Sequence, residues 1–340
     1  MPHFSETKPD AISPFLDPSY NAAQDAAAWL ELSAEQIFEL TGDERKTFLN
    51  AYITQDIKNL GMDRLAQGAF LTQKGKLVSE SWVLNLSDKI LLLFPPGFGE
   101  RVEKHLATFL MFANVTFRNV SQDWAHFALL GPKVGEFWKA LTAQEIPTAE
   151  GPLQKIHWEG VPLLAFVSPR FGTKAVEALL PAHMGPAFRE RLASLQPEGL
   201  EKLSEAARET LRLEAGIPKM GVDMGEEHLV AEVGLNEGAT SFTKGCYLGQ
   251  ETTARVQSRG HVNRRLIPLQ LSGISEAALP LEIFQGEKKV GILTSAVKSP
   301  KFGAAIGLGT VSLQALENSE ELFAANAEGK NLIQPRRKNA

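Results

Sequence analysis

The stretch Gly68-Ala69-Phe70-Leu71-Thr72-Gln73-Lys74-Gly75-Lys76-Leu77-Val78-Ser79-Glu80-Ser81-Trp82-Val83-Leu84 settles the fold class. Two strand-like runs, 68–72 and 77–84, flank Gln73-Lys74-Gly75-Lys76, a hairpin loop by composition. A hairpin makes its strands antiparallel, which separates this chain from the parallel α/β folds. Upstream, Ile37-Phe38-Glu39-Leu40 reads as a short strand. Asp43 follows as an N-cap, and Phe48, Leu49, Tyr52 and Ile53 give a helix with one buried face. Downstream come a strand at Ile90 to Phe94, a helix lined by Val102, Leu106, Phe109, Leu110 and Ala113, and a strand at Val115 to Val120. The order βαβββαβ predicts an α+β plan, an antiparallel sheet with helices on one face.

A second cycle begins at His126 to Leu130, turns at Gly131-Pro132, and continues with a helix through Val134, Phe137, Trp138 and Leu141. Pro162 to Val167 reads as a strand; helical runs are expected at Lys174 to Leu180, Pro186 to Leu195 and Ser204 to Ala215. From Gly216 to Thr243 the chain is Gly-rich and irregular. After Asn263 the pattern changes to short strands with Gly turns, at Leu266 to Leu271, Leu281 to Phe284, Lys289 to Ser295 and Ala304 to Val311, which predicts a small β-barrel. The expected organisation is a flexible tail at 1–25, a first α+β domain at 26–122, a second at 123–262, and a barrel with a tail at 263–340. Pro335-Arg336-Arg337-Lys338 reads as a solvated basic end.

The 340 residues suffice for about two to three domains. An apolar fraction of 44% with 22% charged residues is globular composition, not that of a disordered chain. The charge is 35 basic against 40 acidic residues, net −5, which argues against a protein that grips nucleic-acid backbone. The single cysteine excludes an intrachain disulfide, a multi-cysteine zinc site and an ordinary self-contained iron–sulfur cluster. The first residues lack the marks of a secretory or transit segment, and no run is long enough to span a membrane, so a soluble cytoplasmic protein is expected. There is no dinucleotide-binding glycine fingerprint, phosphate-binding Walker loop or paired-histidine metal signature.

The segment Lys244-Gly245-Cys246-Tyr247-Leu248-Gly249-Gln250-Glu251 holds that cysteine. A helix over Gln250 to Gln257 would pair Glu251 with Arg255 at i,i+4, and its N-terminus with Lys244 would favour the Cys246 thiolate. A small buried hydrophobe is the bland alternative for a lone cysteine. His228 and His261 are near in sequence, a weak hint of a Cys-His pair. Glu214 falls on the apolar side of the last turn of its helix, where the dipole disfavours a carboxylate, so it needs either an arginine or a ligand edge with two N–H donors. Glu80 shares a strand face with Val78, Trp82 and Leu84, as a functional carboxylate or as the edge of the buried patch. Asp56 is most simply a turn or cap residue.

The octet 244–251, followed by Arg255, resembles the K-G-C-[FY]-x-G-Q-E signature of the YgfZ-type folate-binding proteins, a branch of the glycine-cleavage T-protein (aminomethyltransferase) superfamily. Arg212-Leu213-Glu214-Ala215-Gly216-Ile217-Pro218 is similar to the superfamily's R-x-E-x-G-I-P element. Gly42-Asp43, Phe48-Leu49 and Thr54-Gln55-Asp56 resemble its N-terminal pattern, and the likeness runs from about residue 30 to 315. It implies two α+β segments and a barrel around a central tetrahydrofolate site. Glu214 would hold the pteridine edge, with Glu80 also at the folate. Cys246 and Lys244 would be the reactive pair, with Tyr247, Gln250, Glu251 and Arg255 beside the cofactor. The implied function is a folate-dependent accessory to iron–sulfur enzymes or their cluster-assembly partners, tRNA-modifying enzymes included, without glycine-cleavage activity. A genuine aminomethyltransferase and a non-catalytic folate-binding module are the alternatives. Two places depart from the family pattern: Ser79-Glu80 stands where an Asp is usual at the second position, and Val230-Ala231-Glu232 stands for P-x-E.

Overall fold

The computed structural model describes residues 17–147, 150–260, 262–272, 279–318, 320–326 and 329–336. The chain opens with α1 (Pro18–Asp25) and β1 (Ala27–Glu31). The unit read as βαβββαβ follows in that order: β2 (Gln36–Thr41), α2 (Arg45–Tyr52), β3 (Arg64–Leu71), β4 (Leu77–Asn85), β5 (Ile90–Phe94), α3 (Phe98–Leu110) and β6 (Thr116–Asn119). Next come β7 (Trp124–Leu130), α4 (Val134–Thr142), β8 (Gln154–Trp158), β9 (Val161–Val167), β10 (Ala175–Pro181), α5 (Gly185–Ser194), β11 (Leu200–Lys202) and α6 (Glu205–Glu214). After the irregular stretch, α7 (Gln250–Arg259) leads to the barrel: β12 (Arg264–Leu271), β13 (Leu281–Gln285), β14 (Lys288–Ser299), β15 (Ala304–Ser312), α8 (Leu313–Glu317), β16 (Leu322–Asn326) and β17 (Gly329–Pro335).

The first sheet has the order β3-β4-β5-β2-β6, the second β11-β1-β7-β10-β9-β8, and the barrel closes as β12-β15-β14-β13-β16-β17. The fold is thus α+β with a C-terminal barrel. Strand alternation explains how the two sheets meet. On the first sheet Phe38, Leu40, Ile90, Leu92 and Phe94 face outward onto α2 and α3, with Phe48, Leu49, Val102 and Leu106. Ile37, Leu84, Leu91 and Leu93 face inward and pack on Leu164, Phe166 and Leu179 of the second sheet. The second sheet covers its own outer face with Val134, Trp138 and Leu141 of α4 and Phe188 and Leu192 of α5. Two inner faces therefore oppose each other, and any polar side chain on them needs a partner or a ligand.

Several segments differ from the sequence expectation. Residues 18–25, expected in a loose tail, form α1; Asp17 caps it by accepting from Ser19 and Tyr20 N–H, with Pro18 at the first helical position. Tyr20 and Ala23 are buried by that helix. β1 pairs with β7 and β11, so the second sheet draws strands from both sides of residue 122. The run at 174–180, expected helical, is β10, seven residues paired with β7 and β9. Its Val176, Ala178 and Leu180 join the outer core, a period of two that the apolar density of the run conceals. Asp43 does not cap α2; Glu44 is the cap residue and makes no side-chain cap bond. Val78 does not share the Glu80 face: the ladder slips between Phe70 and Leu71, leaving Val78 as a bulge turned to the outer core.

The barrel closes through β16 and β17, which the strand pattern did not pick out. The basic end is not solvated at Arg336, whose guanidinium donates to Leu213 O at 2.7 Å and Glu214 O at 2.9 Å and lies 4.2 Å from the Phe302 ring centroid. It caps the C-terminus of α6, where carbonyls lack helical partners and a cation is favoured. Arg337 and Lys338 lie outside the described residues, as does the rest of the expected tail at 1–16. Among the described residues no helix is long and apolar enough to cross a membrane.

Candidate functional site

A cavity of about 540 Å³ opens between the inner sheet faces, α6 and the segment 217–237. From the first sheet it receives Gln67, Glu80 and Trp82, from the turn after β1 Glu35, and from the loop after β9 Arg170 and Phe171. Glu80 and Trp82 alternate with outward residues of β4, and their ladder partners Ala69 and Gln67 are small or polar, so the inner apolar seam is interrupted there. Glu80 Oε2 accepts from Gln67 Nε2 at 2.7 Å. Burial pushes the Glu80 carboxyl up to about 7; the Arg170 charge and the Gln67 bond oppose this, and Glu35 adds to it. The side chain can therefore accept or donate a proton near neutrality.

Arg170 is the residue that sequence reading missed. Its Nε and Nη2 grip both Glu177 carboxylate oxygens at 2.8 Å, and Nη1 and Nη2 reach Glu35 Oε2 at 3.0 Å. Glu177 is fully buried in β10 and also accepts from His126 Nε2 at 2.6 Å. Burial works against the charges of Arg170 and Glu177, yet their mutual attraction prevails, raising the guanidinium's pKa and holding the Glu177 carboxyl well below the ordinary carboxylate range. The available signal was an acid, Glu177, inside an apolar strand, which demands a buried cation. Reading the run as a helix hid that demand.

The other wall of the cavity is α6. Ser204 caps it, accepting from Ala207 N–H at 3.0 Å, and Arg208, Leu211 and Arg212 face the cavity. Arg212 is committed to Glu209, Asp223, Ser295 and Ile217 O. Arg208 is looser: its ion pair with Glu205 spans 3.7 Å. With Lys219, it gives the mouth of the cavity cationic groups.

Of the residues expected at the site, Glu80 alone lines this cavity. Glu214 is buried but turned to other partners: Oε1 accepts from Tyr20 at 2.8 Å and Ser299 at 2.5 Å, and Oε2 from Gln24 at 3.3 Å. α1 and β14 thus supply its hydroxyl and amide donors, and the Arg336 guanidinium, on the Glu214 carbonyl, adds a nearby cation. Burial, then Glu214, raises the Tyr20 phenol's pKa.

The octet stands apart, on the back of the β3–β4 hairpin. Gly249 explains one of its glycines: φ is +82°, and a Cβ there would lie 2.5 Å from Thr72 O. Lys244 is buried, and its Nζ donates to Asn50 O, Ile53 O and Gln55 O, each at 2.7 Å. Burial lowers its pKa to about 8, with Asp56 opposing. All three ammonium N–H groups are thereby used, and Lys244 pins the loop to the end of α2. Tyr247 is buried beneath it, with Nζ 4.9 Å from the ring centroid. Cys246 is exposed, as are Glu251 and Arg255 on α7, while Gln250 is half-buried at the start of that helix. His228 joins the irregular segment to the barrel: Nδ1 accepts from Gly225 N–H and lies 3.1 Å from Glu227 Oε1, and Nε2 meets Thr310 Oγ1 at 3.1 Å. His261 lies outside the described residues. Asp56 accepts from Asn59 N–H and Nδ2, the turn role expected of it.

Known proteins match this arrangement along almost the whole chain. The GCVT N-terminal domain family matches residues 2–243, and the glycine cleavage T-protein C-terminal barrel domain matches residues 264–333. The tRNA-modifying protein YgfZ of Colwellia psychrerythraea is 29% identical over 241 residues, 71% of this chain and 70% of that protein. An aminomethyltransferase of Listeria welshimeri is 25% identical over 286 residues, covering 83% of this chain and 77% of that one. The crystal structure of the glycine cleavage system aminomethyltransferase T from Bartonella henselae superposes with a TM-score of 0.83 at 16% identity, over 94% of this chain and 87% of that one, a likeness of fold.

Proposed function

The chain belongs to the glycine cleavage T-protein domain family, and from that premise we propose that it binds a tetrahydrofolate in the cavity between its sheets and acts as an accessory to iron–sulfur enzymes, tRNA-modifying ones included. The observation that carries the binding half is the juxtaposition of Glu80 and Trp82 of the first sheet with Arg170 of the loop after β9 in the lining of one cavity. The volume lies within the roughly 300–1,000 Å³ of small-molecule sites. A carboxylate that accepts two N–H bonds suits the amino-pyrimidine edge of a pterin, and Trp82 and Phe171 offer ring faces to a planar group. Arg208 and Lys219 at the mouth suit the carboxylates of a glutamyl tail. Bound there, the folate would supply a carrier for one-carbon units.

In this reading Glu80 takes the pterin-edge role, and Glu214 supports it from behind by fixing α1 against α6. Lys244 and Tyr247 are the pillar of the thiol loop, and Cys246 is the exposed group available to a partner protein. Gln250, Glu251 and Arg255 belong to the thiol face and not to the folate. The similarity to the tRNA-modifying protein YgfZ and the Cys246 octet support the accessory role over aminomethyl transfer, because passing the aminomethyl carbon to tetrahydrofolate with release of ammonia uses no cysteine thiol of the chain.

Two assays on the purified chain and on cells lacking it test the proposal. Given tetrahydrofolate and an aminomethyl-lipoyl carrier protein, the chain should release no ammonia and form no methylenetetrahydrofolate at enzymic rates. Activities of iron–sulfur tRNA-modifying enzymes should fall in its absence and return with the wild-type chain but not with Cys246→Ala. Enzymic release would establish the aminomethyltransferase alternative. Full return with Cys246→Ala would leave a folate-binding module without thiol function.

A further inference from the structure

The cavity and the thiol loop are separate sites that share a wall. Glu80 lies opposite Ala69 in the β3–β4 ladder and is held by Gln67. Behind these residues runs Ile53-Thr54-Gln55, bonded on both sides. Toward the cavity, Thr54 N–H donates to Ala69 O and Ala69 N–H to Thr54 Oγ1, both at 2.9 Å, and Gln55 Nε2 donates to Gln67 O at 3.0 Å. Toward the thiol loop, Gln55 Nε2 donates to Gly238 O at 2.7 Å, Thr54 Oγ1 to Ala239 O at 2.6 Å, and Ser241 N–H to Thr54 O at 3.0 Å. Lys244 closes the seam on the carbonyls of Ile53 and Gln55. Gly68 leaves no slack in it, since a Cβ there would lie 2.7 Å from the Ile53 side chain and 3.1 Å from Gln55 Cβ.

Two side chains span both halves: the Thr54 hydroxyl accepts from Ala69 N–H and donates to Ala239 O, and the two N–H bonds of the Gln55 amide go one to Gln67 O and one to Gly238 O. We propose that Gln55 is a positioning residue that couples occupancy of the cavity to the exposure of Cys246, an inference that rests on the folate reading above. A ligand that engages the Glu80 carboxylate competes with Gln67 for it and shifts β3 at residues 67–69. The 53–55 segment is stitched to that strand and passes the shift to residues 238–244. The loop has room to respond, because Phe242, Thr243, Gly245 and Cys246 are exposed and Gly238 has open space around it. A continuous run of hydrogen bonds thus joins the two ends, the kind of packed network along which coupling between sites is carried.

Cys246 is the only cysteine, so alkylation by iodoacetamide reports this loop alone. Its rate would be measured with and without saturating 5-formyltetrahydrofolate, with calorimetry on the same samples. The ligand should change the wild-type rate by about fivefold or more. Gln55→Ala should bind the ligand with unchanged affinity yet alkylate at a ligand-independent rate; Gln55→Met, of similar length, replaces it if the alanine variant fails to fold. A wild-type rate unaltered at saturation overturns the coupling, and a full response retained in the Gln55 variant overturns the role of Gln55 in it. If calorimetry shows no binding, the folate reading falls, and the ligand-free protein decides the coupling. Glu80→Leu, which frees the Gln67 amide, must then shift the alkylation rate, and an unchanged rate overturns it.

Discussion

Arg170→Met should lower the unfolding free energy by about 3–5 kcal/mol, the range for a buried ion cluster that loses one partner. The substitution removes the only guanidinium gripping Glu177 among the described residues, where Glu177 is fully buried, and strips Glu35 of the same cation. His126 alone cannot replace it, having one ring nitrogen on Glu177 and the other 3.8 Å from Glu35. Urea unfolding followed by tryptophan fluorescence measures the loss; a change under about 1 kcal/mol, the worth of an exposed pair, would contradict the pairing described here. Arg170→Lys should lie between, since it keeps the charge but not the two-pronged fit to Glu177. The pH dependence carries the same signature. The Glu177 carboxyl is held below its unfolded value, about 4.3. Its contribution is fully present above that pH and is lost as pH falls through the lower folded value. Wild type should therefore lose stability on acidification below about pH 4.5 more steeply than Arg170→Met, which has little of this contribution left.

Ligand affinity should depend on pH through Glu80. Its carboxyl titrates at about 7, raised by burial against the opposing Arg170 and Gln67 and with the help of Glu35. A ligand edge that donates two N–H bonds binds the ionised form. Below pH 7 it must displace a proton, and affinity should fall by up to about tenfold per pH unit. Above pH 8 the affinity should level. Glu80→Gln should flatten the profile and weaken binding at pH 8 by about ten- to a hundredfold, the worth of a charge-assisted bond against a neutral one. Calorimetric titrations at pH 6, 7 and 8 check both statements. A flat wild-type profile that matches Glu80→Gln would remove Glu80 from the site.

The antiparallel first unit was legible because its hairpin loop, its apolar helical faces and its fully apolar β5 all obey a single period each. β10 was not: Ala175-Val176-Glu177-Ala178-Leu179 is short and apolar enough to suit either period, and only pairing with β7 and β9 decides it. The same misreading concealed Arg170, since the need for that arginine arises when Glu177 points into a sheet interface. Glu80 was legible as an acid on an apolar face, although the bulge at Val78 that helps to aim the strand leaves no mark in composition. Glu214 was correctly read as needing partners. Their identity was hidden because Tyr20 and Ser299 lie 194 and 85 residues away. The Asp17-Pro18 pair did signal a helix start that would have brought Tyr20 into view. The octet was legible as a unit but not as a second place, because nothing local in Lys244 foretells that three carbonyls of the α2 end will take its ammonium.

The account stands on the cavity between the sheets being the folate site. Calorimetric titration of the wild-type chain and of Trp82→Ala with tetrahydrofolate at pH 8 tests this most directly. A single saturable site, weakened about tenfold or more when the ring face is removed, is the result predicted. Absence of binding to the wild-type chain, or equal affinity in the two proteins, would contradict it.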